Sequence, residues 1–236
     1  MTDDATRLSK HLDLAFHDLT LLDCALTHRS ASGRNNERLE YLGDGALNFI
    51  IASELYFRKP DADEGTLSRL RAFLVRGATL SEIARELDLG DFLLLGTGEL
   101  RSGGFERDSI LADALEAIIG AVYLDAGFEP CRAFVLRLYE ARLASLPSPE
   151  ELLDPKTRLQ EFLQARGMSR PRYETLEVTG KPHAQQFLVA CHIEQPAVTC
   201  EARATSRRKA EQAAALEVLN QLREHKDIAK SRKRSS

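Results

Sequence analysis

The chain has 236 residues, 43% of them hydrophobic and 29% charged, with a net charge of −4; this is a globular composition, long enough for one large or two modest domains. No apolar run reaches the roughly 18 residues of a membrane span. The polar, acidic start MTDDATRLSKHLDLAF is unlike a secretory leader, and the four cysteines show no CxxC spacing, which argues against a zinc site or disulfide frame and for a cytoplasmic protein with reduced thiols.

Charge is unevenly spread along the chain. Residues 1–153 sum to −10 and residues 154–236 to +6. A front half suited to cations therefore precedes a back half suited to a polyanion.

Through about Tyr139 the chain reads as helix after helix. Apolar residues recur at helical spacing in Leu39–Phe57, Leu67–Leu87 and Ile110–Leu124. Turn material, RKPDADEG at 58–65 and GTGELRSGG at 96–104, separates them. The segment SLPSPEELLDPK at 145–156 holds three prolines and reads as a join. After it the pattern changes. PKTRLQEFLQAR (155–166) is an amphipathic helix opened by proline. RYETLEVTG, AQQFLVACHIE and AVTCEARAT alternate or carry β-branched runs, as strands do. SRRKAEQAAALEVLNQLRE (206–224) is a strong helix, and the basic end AKSRKRSS is expected to be disordered. The expected fold class is two-domain: an all-helical domain over 1–147, a linker over 148–154, a small α-β-β-β-α domain over 155–225, and a basic tail over 226–236.

The stretch NERLEYLGDGALN (Asn36–Asn48) carries Glu37, Glu40 and Asp44 at spacings of three and four. At about 100° per residue these acids form a narrow stripe. Leu39, Leu42, Ala46, Phe49 and Ile50 fall on the opposite, apolar side. A solvated face would intersperse lysine or arginine at i+4 to relieve repulsion, and Arg38 lies off the stripe. A second helix, SILADALEAIIGAVYL (109–124), has Asp113 and Glu116 as its only charges. Two carboxylates one turn apart on a buried helix are costly unless neutralised. A bound cation or a distant arginine such as Arg107 would do this, and Ala117 and Gly120 leave room beside the acids. Hard oxygen donors suit Mg²⁺ or Mn²⁺ rather than zinc, and Mg²⁺ points to phosphoryl chemistry. Asp63 and Glu64 either add to this site or simply favour a helix N-terminus.

NERLEYLGD paired with ADALEAIIGAVYLD resembles bacterial ribonuclease III, as do the intervening DEGTLSRLRAFLVRGATL and GELRSGG. The likeness covers nearly the whole chain. It implies a helical endonuclease domain that forms a homodimer. Carried onto this sequence, it implies Glu40, Asp113 and Glu116 as metal ligands, Asp44 and Glu116 as catalytic acids, and Glu37 and Glu64 as auxiliary acids. It further implies Mg²⁺, with Mn²⁺ as substitute, double-stranded RNA as substrate, and precursors of ribosomal RNA among the targets. The tail is similar to a double-stranded RNA-binding domain, which reads A-form shape across two minor grooves. The implied RNA contacts are Thr157, Gln160 and Glu161 on its first helix, Pro182 and His183 in a turn, and Arg207, Arg208 and Lys209 opening the last helix. Glu211 departs from the lysine often found there, which would weaken phosphate contact. The alternative is a duplex-binding protein that does not cleave; it would need a lost ligand, and all four acids are present.

Overall fold

The computed structural model describes residues 3–31, 33–181 and 184–234. It divides into two compact units, Met1–Pro147 and Ser148–Ser236. Among the described residues no helix is long and apolar enough to cross a membrane.

The first unit is helical. In chain order it holds α1 (Asp3–His11), α2 (Leu19–Leu26), α3 (Glu37–Arg58), α4 (Glu64–Leu74), α5 (Gly77–Glu86), α6 (Thr97–Arg101), α7 (Asp108–Ala126) and α8 (Phe128–Ala144). The central helix is α7, against which α2, α3, α5 and α8 all pack. Its apolar residues from Ile110 to Val122 are buried on every side, as expected of a helix hydrophobic all round. Each fully buried leucine or isoleucine contributes roughly 1.5–3 kcal/mol. The helix stops at Gly127, whose φ of 85° is open to glycine and whose N–H caps the Tyr123 carbonyl. Just before this stop, the Asp125 carboxylate accepts the backbone N–H groups of His17 (2.9 Å) and Asp18 (2.7 Å). Asp18 in turn caps α2 through Thr20 N–H. The end of α7 thereby fixes the entry to α2.

Two features differ from the sequence expectation. The periodic run Leu67–Leu87 is not one helix but two, α4 and α5, parted at Val75 and Arg76. Gly77 follows the break, and Thr79 turns its hydroxyl onto the Phe73 carbonyl, satisfying a group the broken helix leaves open. The buried face of α3 is also rotated. Leu39, Gly43, Leu47, Ile50, Ile51 and Leu55 are buried, while Phe49 is 62% and Tyr41 83% exposed. The acids therefore flank the buried face instead of standing opposite it. The cause is Gly43. A Cβ there would collide with the Glu116 carbonyl, and a Cβ on Gly120 would collide with the Leu39 carbonyl. The two glycines bring the backbones of α3 and α7 into contact. Gly120 is thus filled by α3, and does not leave the open space expected of it.

The second unit begins with α9 (Pro149–Leu152), followed by α10 (Pro155–Gln164), β1 (Arg172–Thr179), β2 (Gln186–Ile193), β3 (Val198–Ala204) and α11 (Arg207–Arg234). A capping box on Ser148 and Glu151 forms α9 inside the proline-rich join; the S-x-x-E spacing is its signature. The sheet is antiparallel in the order β1-β2-β3, with Tyr173 opposite Cys191 and Cys191 opposite Cys200. Helices α10 and α11 cover one face, burying Leu159, Leu163, Ala214, Val218 and Leu219 against Cys191, Ile193 and Cys200. The last helix runs on through Arg234, so the segment expected as a disordered tail is helical as far as it is described. No glycine or proline between Arg207 and Arg234 interrupts it.

Candidate metal and nucleic-acid sites

The contact of α3 with α7 sets the geometry of the acids. One ligand oxygen each from Glu40, Asp113 and Glu116 lies within 4.8 Å of the others. Desolvation, followed by the charges of Asp44, Glu40 and Asp113, pushes Glu116 up to about 8. Burial first and then Asp113 and Glu37 raise Glu40; burial raises Asp113. The arrangement is unstable as an all-ionised set and strongly favours a cation at its centre.

Arg107 does not relieve it, since it pairs with Glu99 at 2.9 Å. The basic charge felt by Asp113 comes from His28 and Arg29, and Arg29 also acts on Glu40. Both follow α2 in a segment stitched to its neighbours. Thr27 carbonyl accepts Asn36 N–H at 2.9 Å, which seats this segment beside the first turn of α3. His28 N–H donates to the Leu94 carbonyl at 3.0 Å.

The other acids surround the trio at different distances. Asp44 is exposed on the next turn of α3 and accepts the Asn48 side-chain amide at 2.7 Å. It is the largest single charge acting on Glu116. Glu37 accepts from the Asn35 amide at 3.1 Å and lies 3.6 Å from Arg29. Glu64 stands in the first turn of α4, where it accepts the Ser68 hydroxyl at 2.7 Å. The trio does not include it. Asp63 is the N-cap of α4, taking Thr66 N–H, so its role is structural.

In the second unit, Asp154 caps α10 and also accepts the Thr157 hydroxyl at 2.9 Å. Gln160 and Glu161 are exposed on the same helix. Arg207, Arg208 and Lys209 are exposed at the start of α11. Pro182 and His183 lie outside the described residues. Glu211 is not a free acid facing phosphate: it accepts from Lys156 Nζ at 2.6 Å and from Arg207 Nε at 2.9 Å. Burial would raise its carboxyl, but the two cations outweigh that and hold it below the usual range. Lys156 also lies 4.4 Å over the Tyr173 ring. Sequence reading missed this triad, since only the fold brings Lys156 to Glu211. It also missed Gly43, for which a signal existed: a glycine inside a helical pattern marks a packing contact.

Comparison with known proteins agrees on both units. A ribonuclease-III-like family model matches residues 18–143, and a double-stranded RNA binding motif matches residues 155–222. A Ribonuclease 3 of Alkalilimnicola ehrlichii is 61% identical over 215 residues, covering 91% of this chain and 94% of that one. A Ribonuclease 3 of Vibrio cholerae is 54% identical over 222 residues, covering 94% and 99%. Among solved structures, the nuclease domain of ribonuclease III from Campylobacter jejuni matches at 44% identity with a TM-score of 0.58, covering 62% of this chain and 100% of that one. A second structure from the same organism, at 46% identity and a TM-score of 0.57, concerns flexibility in the region of that domain involved in dimer formation.

Proposed function

The chain belongs to the ribonuclease III family, and on that premise we propose that it cleaves both strands of duplex RNA by metal-assisted hydrolysis. The observation that carries this reading is the trio of Glu40, Asp113 and Glu116, whose ligand oxygens converge to within 4.8 Å. The donors are hard oxygens, which fits Mg²⁺, with Mn²⁺ as substitute. When bound, such an ion supplies a nucleophile at neutral pH and stabilises charge on the phosphate and the leaving oxygen.

The protein's own groups do the rest. Glu40, Asp113 and Glu116 would hold the cation, and Glu116 would give up its proton to do so. Asp44 adds an exposed carboxylate at the edge of the trio, where it meets the substrate side. Glu37 and Glu64 are auxiliary: Glu37 adds negative potential and steadies Arg29. Water's oxygen bonds to phosphorus and gives up a proton to solvent, the bond to the 3′-oxygen breaks, and that oxygen takes up a proton. The ends are 5′-phosphate and 3′-hydroxyl. Thr157, Gln160 and Glu161, with Pro182 and His183, reach minor grooves. Arg207, Arg208 and Lys209 meet phosphates, Arg207 sharing its charge with Glu211.

A duplex has two strands and the described residues of each chain hold one trio, so the working form is a homodimer with two-fold symmetry. Large apolar side chains left exposed support this: Tyr41, Phe49 and Phe57 of α3 are exposed by 83, 62 and 74%, and Leu124 of α7 by 53%. Two trios spanning one minor groove cut phosphates offset toward the 3′ side, leaving 3′ overhangs of about two nucleotides. We place the enzyme in the cytoplasm, acting on ribosomal RNA precursors and other structured RNAs. Cutting a defined duplex and sequencing both termini of each strand tests the scheme. Short 3′ overhangs with 5′-phosphates are expected. Blunt ends, 5′ overhangs or 2′,3′-cyclic phosphates would refute it.

A further inference from the structure

Arg29 stands at the edge of the acid stripe. Its Nη1 lies 3.6 Å from Glu37 Oε1, and the two side chains are 70% and 53% exposed. At that distance the two form an ion pair without a hydrogen bond. Among the described residues the guanidinium donates to no protein acceptor. Other arginines of the same unit are tied down: Arg132 donates to Glu54 at 3.2 Å and Arg142 to Glu86 at 2.7 Å. The charge of Arg29 is thus placed while its five N–H donors stay open to something outside the chain.

The residues on either side of Arg29 are fixed. His28 N–H donates to the Leu94 carbonyl at 3.0 Å, the Thr27 carbonyl accepts Asn36 N–H at 2.9 Å, and the Ser30 hydroxyl accepts Gly96 N–H at 2.9 Å. Glu37 is fixed too: the Asn35 amide holds its Oε2 at 3.1 Å, leaving Oε1 toward Arg29. Glu37 and Glu40 are three residues apart on α3, so their side chains are neighbours. The guanidinium is therefore one side chain away from a member of the trio, and its charge reaches Glu40 and Asp113. For holding a metal alone this is the wrong charge, since a permanent cation beside the trio opposes the entry of another. The placement fits a site where an anion arrives with the metal, and the anion a nuclease receives is a phosphodiester. The planar fork of arginine matches two phosphate oxygens, and the pull of the acids on it falls once their charge is neutralised.

We propose that Arg29 contacts the substrate: its guanidinium leaves Glu37 and takes the non-bridging oxygens of the scissile phosphate, where negative charge grows as water adds. This rests on the metal-nuclease reading of the trio and adds to it a cation that the protein itself supplies.

Three measurements on the full-length protein test this: single-turnover duplex cleavage at saturating protein and Mg²⁺, Mn²⁺ binding by calorimetry, and duplex binding in EDTA. Single turnover keeps product release out of the rate. Arg29→Gln is expected to lower the cleavage rate about 100-fold, as loss of a donor to developing charge does. Its Mn²⁺ affinity should be unchanged or higher, because a repelling charge has gone. Its duplex affinity in EDTA should stay within about threefold, one phosphate contact being a small part of the grip. Arg29→Lys keeps the charge but not the fork, and its rate should fall between, about tenfold below the parent. A parent-like rate in Arg29→Gln overturns the proposal. So does a lower rate accompanied by weaker Mn²⁺ binding, which would mark Arg29 as a support for the trio. Should Arg29→Gln not fold, a parent-like rate in Arg29→Lys overturns it instead. If the parent protein binds no Mn²⁺, or does not cleave, the metal-nuclease reading itself fails. That outcome is distinct from a failure confined to Arg29.

Discussion

Glu116 in the first unit and Glu211 in the second are both carboxylates carried on a helix and drawn partly out of solvent. Around Glu116 stand Asp44, Glu40 and Asp113, and its carboxyl is pushed up to about 8. Around Glu211 stand Lys156 and Arg207 at 2.6 and 2.9 Å, and it is held low despite burial. Burial works in the same direction at both; the neighbours decide the sign. A carboxylate whose partners are supplied by the fold is structural. One whose neighbours are other carboxylates is incomplete until something outside the chain binds. The two units thus show what separates a site from a staple, and a single substitution probes each.

The largest effect is expected from Glu116→Gln. It should lower cleavage by about a thousandfold or more with duplex binding preserved, since metal catalysis is worth several kcal/mol and each 1.36 kcal/mol is tenfold. The same change should stabilise the metal-free protein by about 2 kcal/mol, after discounting for solvent screening, because it removes a repelled carboxyl. Loss of both activity and stability would mean that Glu116 is a structural group like Glu211. Cleavage is read by gel assay and stability by thermal melting in EDTA.

Removing residues 148–236 should come next. Duplex affinity should fall by tenfold or more, and the slope of log K against log salt should flatten, because fewer phosphates are neutralised. Equal slopes for the two proteins would show that the second unit is not the main RNA grip. Cleavage should persist at low salt.

Glu211→Gln should be milder. It leaves Lys156 and Arg207 without their acid and should destabilise the second unit by about 1 kcal/mol, as expected of a partly exposed network. The freed cations should steepen the salt slope by up to about one. Unchanged melting would place Glu211 among surface pairs of no consequence.

A pH dependence of opposite sign is expected at the two places. The trio's carboxyls have folded values raised above the unfolded ones. The folded metal-free protein therefore binds more protons, and its stability falls as pH rises from about 4.5 through about 8. Glu211 has a lowered value, so its contribution is present above the unfolded value and lost as pH falls through the folded one. Melting in EDTA between pH 6 and 8 should show the first trend, and saturating Mg²⁺ should reduce it.

Much of this was legible before any coordinates. The 3.6-residue period located α3 and α7, and alternation located the three strands. The residues of the trio stood out because Asp113 and Glu116 were the only charges on an apolar helix. What remained hidden depends on long-range packing. The rotation of α3 follows from Gly43 meeting Glu116, a residue four helices further along the chain. The break between α4 and α5 is settled by what Thr79 bonds to. Glu211 read as a departure in RNA contact because Lys156, its partner, lies a whole sheet earlier in the chain.

The paired glycines bear on how other sequences of this kind are judged. A chain can keep every acid and still be unable to assemble them, because one methyl group on Gly43 or Gly120 is enough to part the two backbones. Counting carboxylates would score such a chain as competent. A glycine at both positions, where no side chain exists to be recognised as functional, is therefore a diagnostic for an intact centre independent of the acids, and its loss is a route by which a duplicated copy could fall silent while its acidic signature survives.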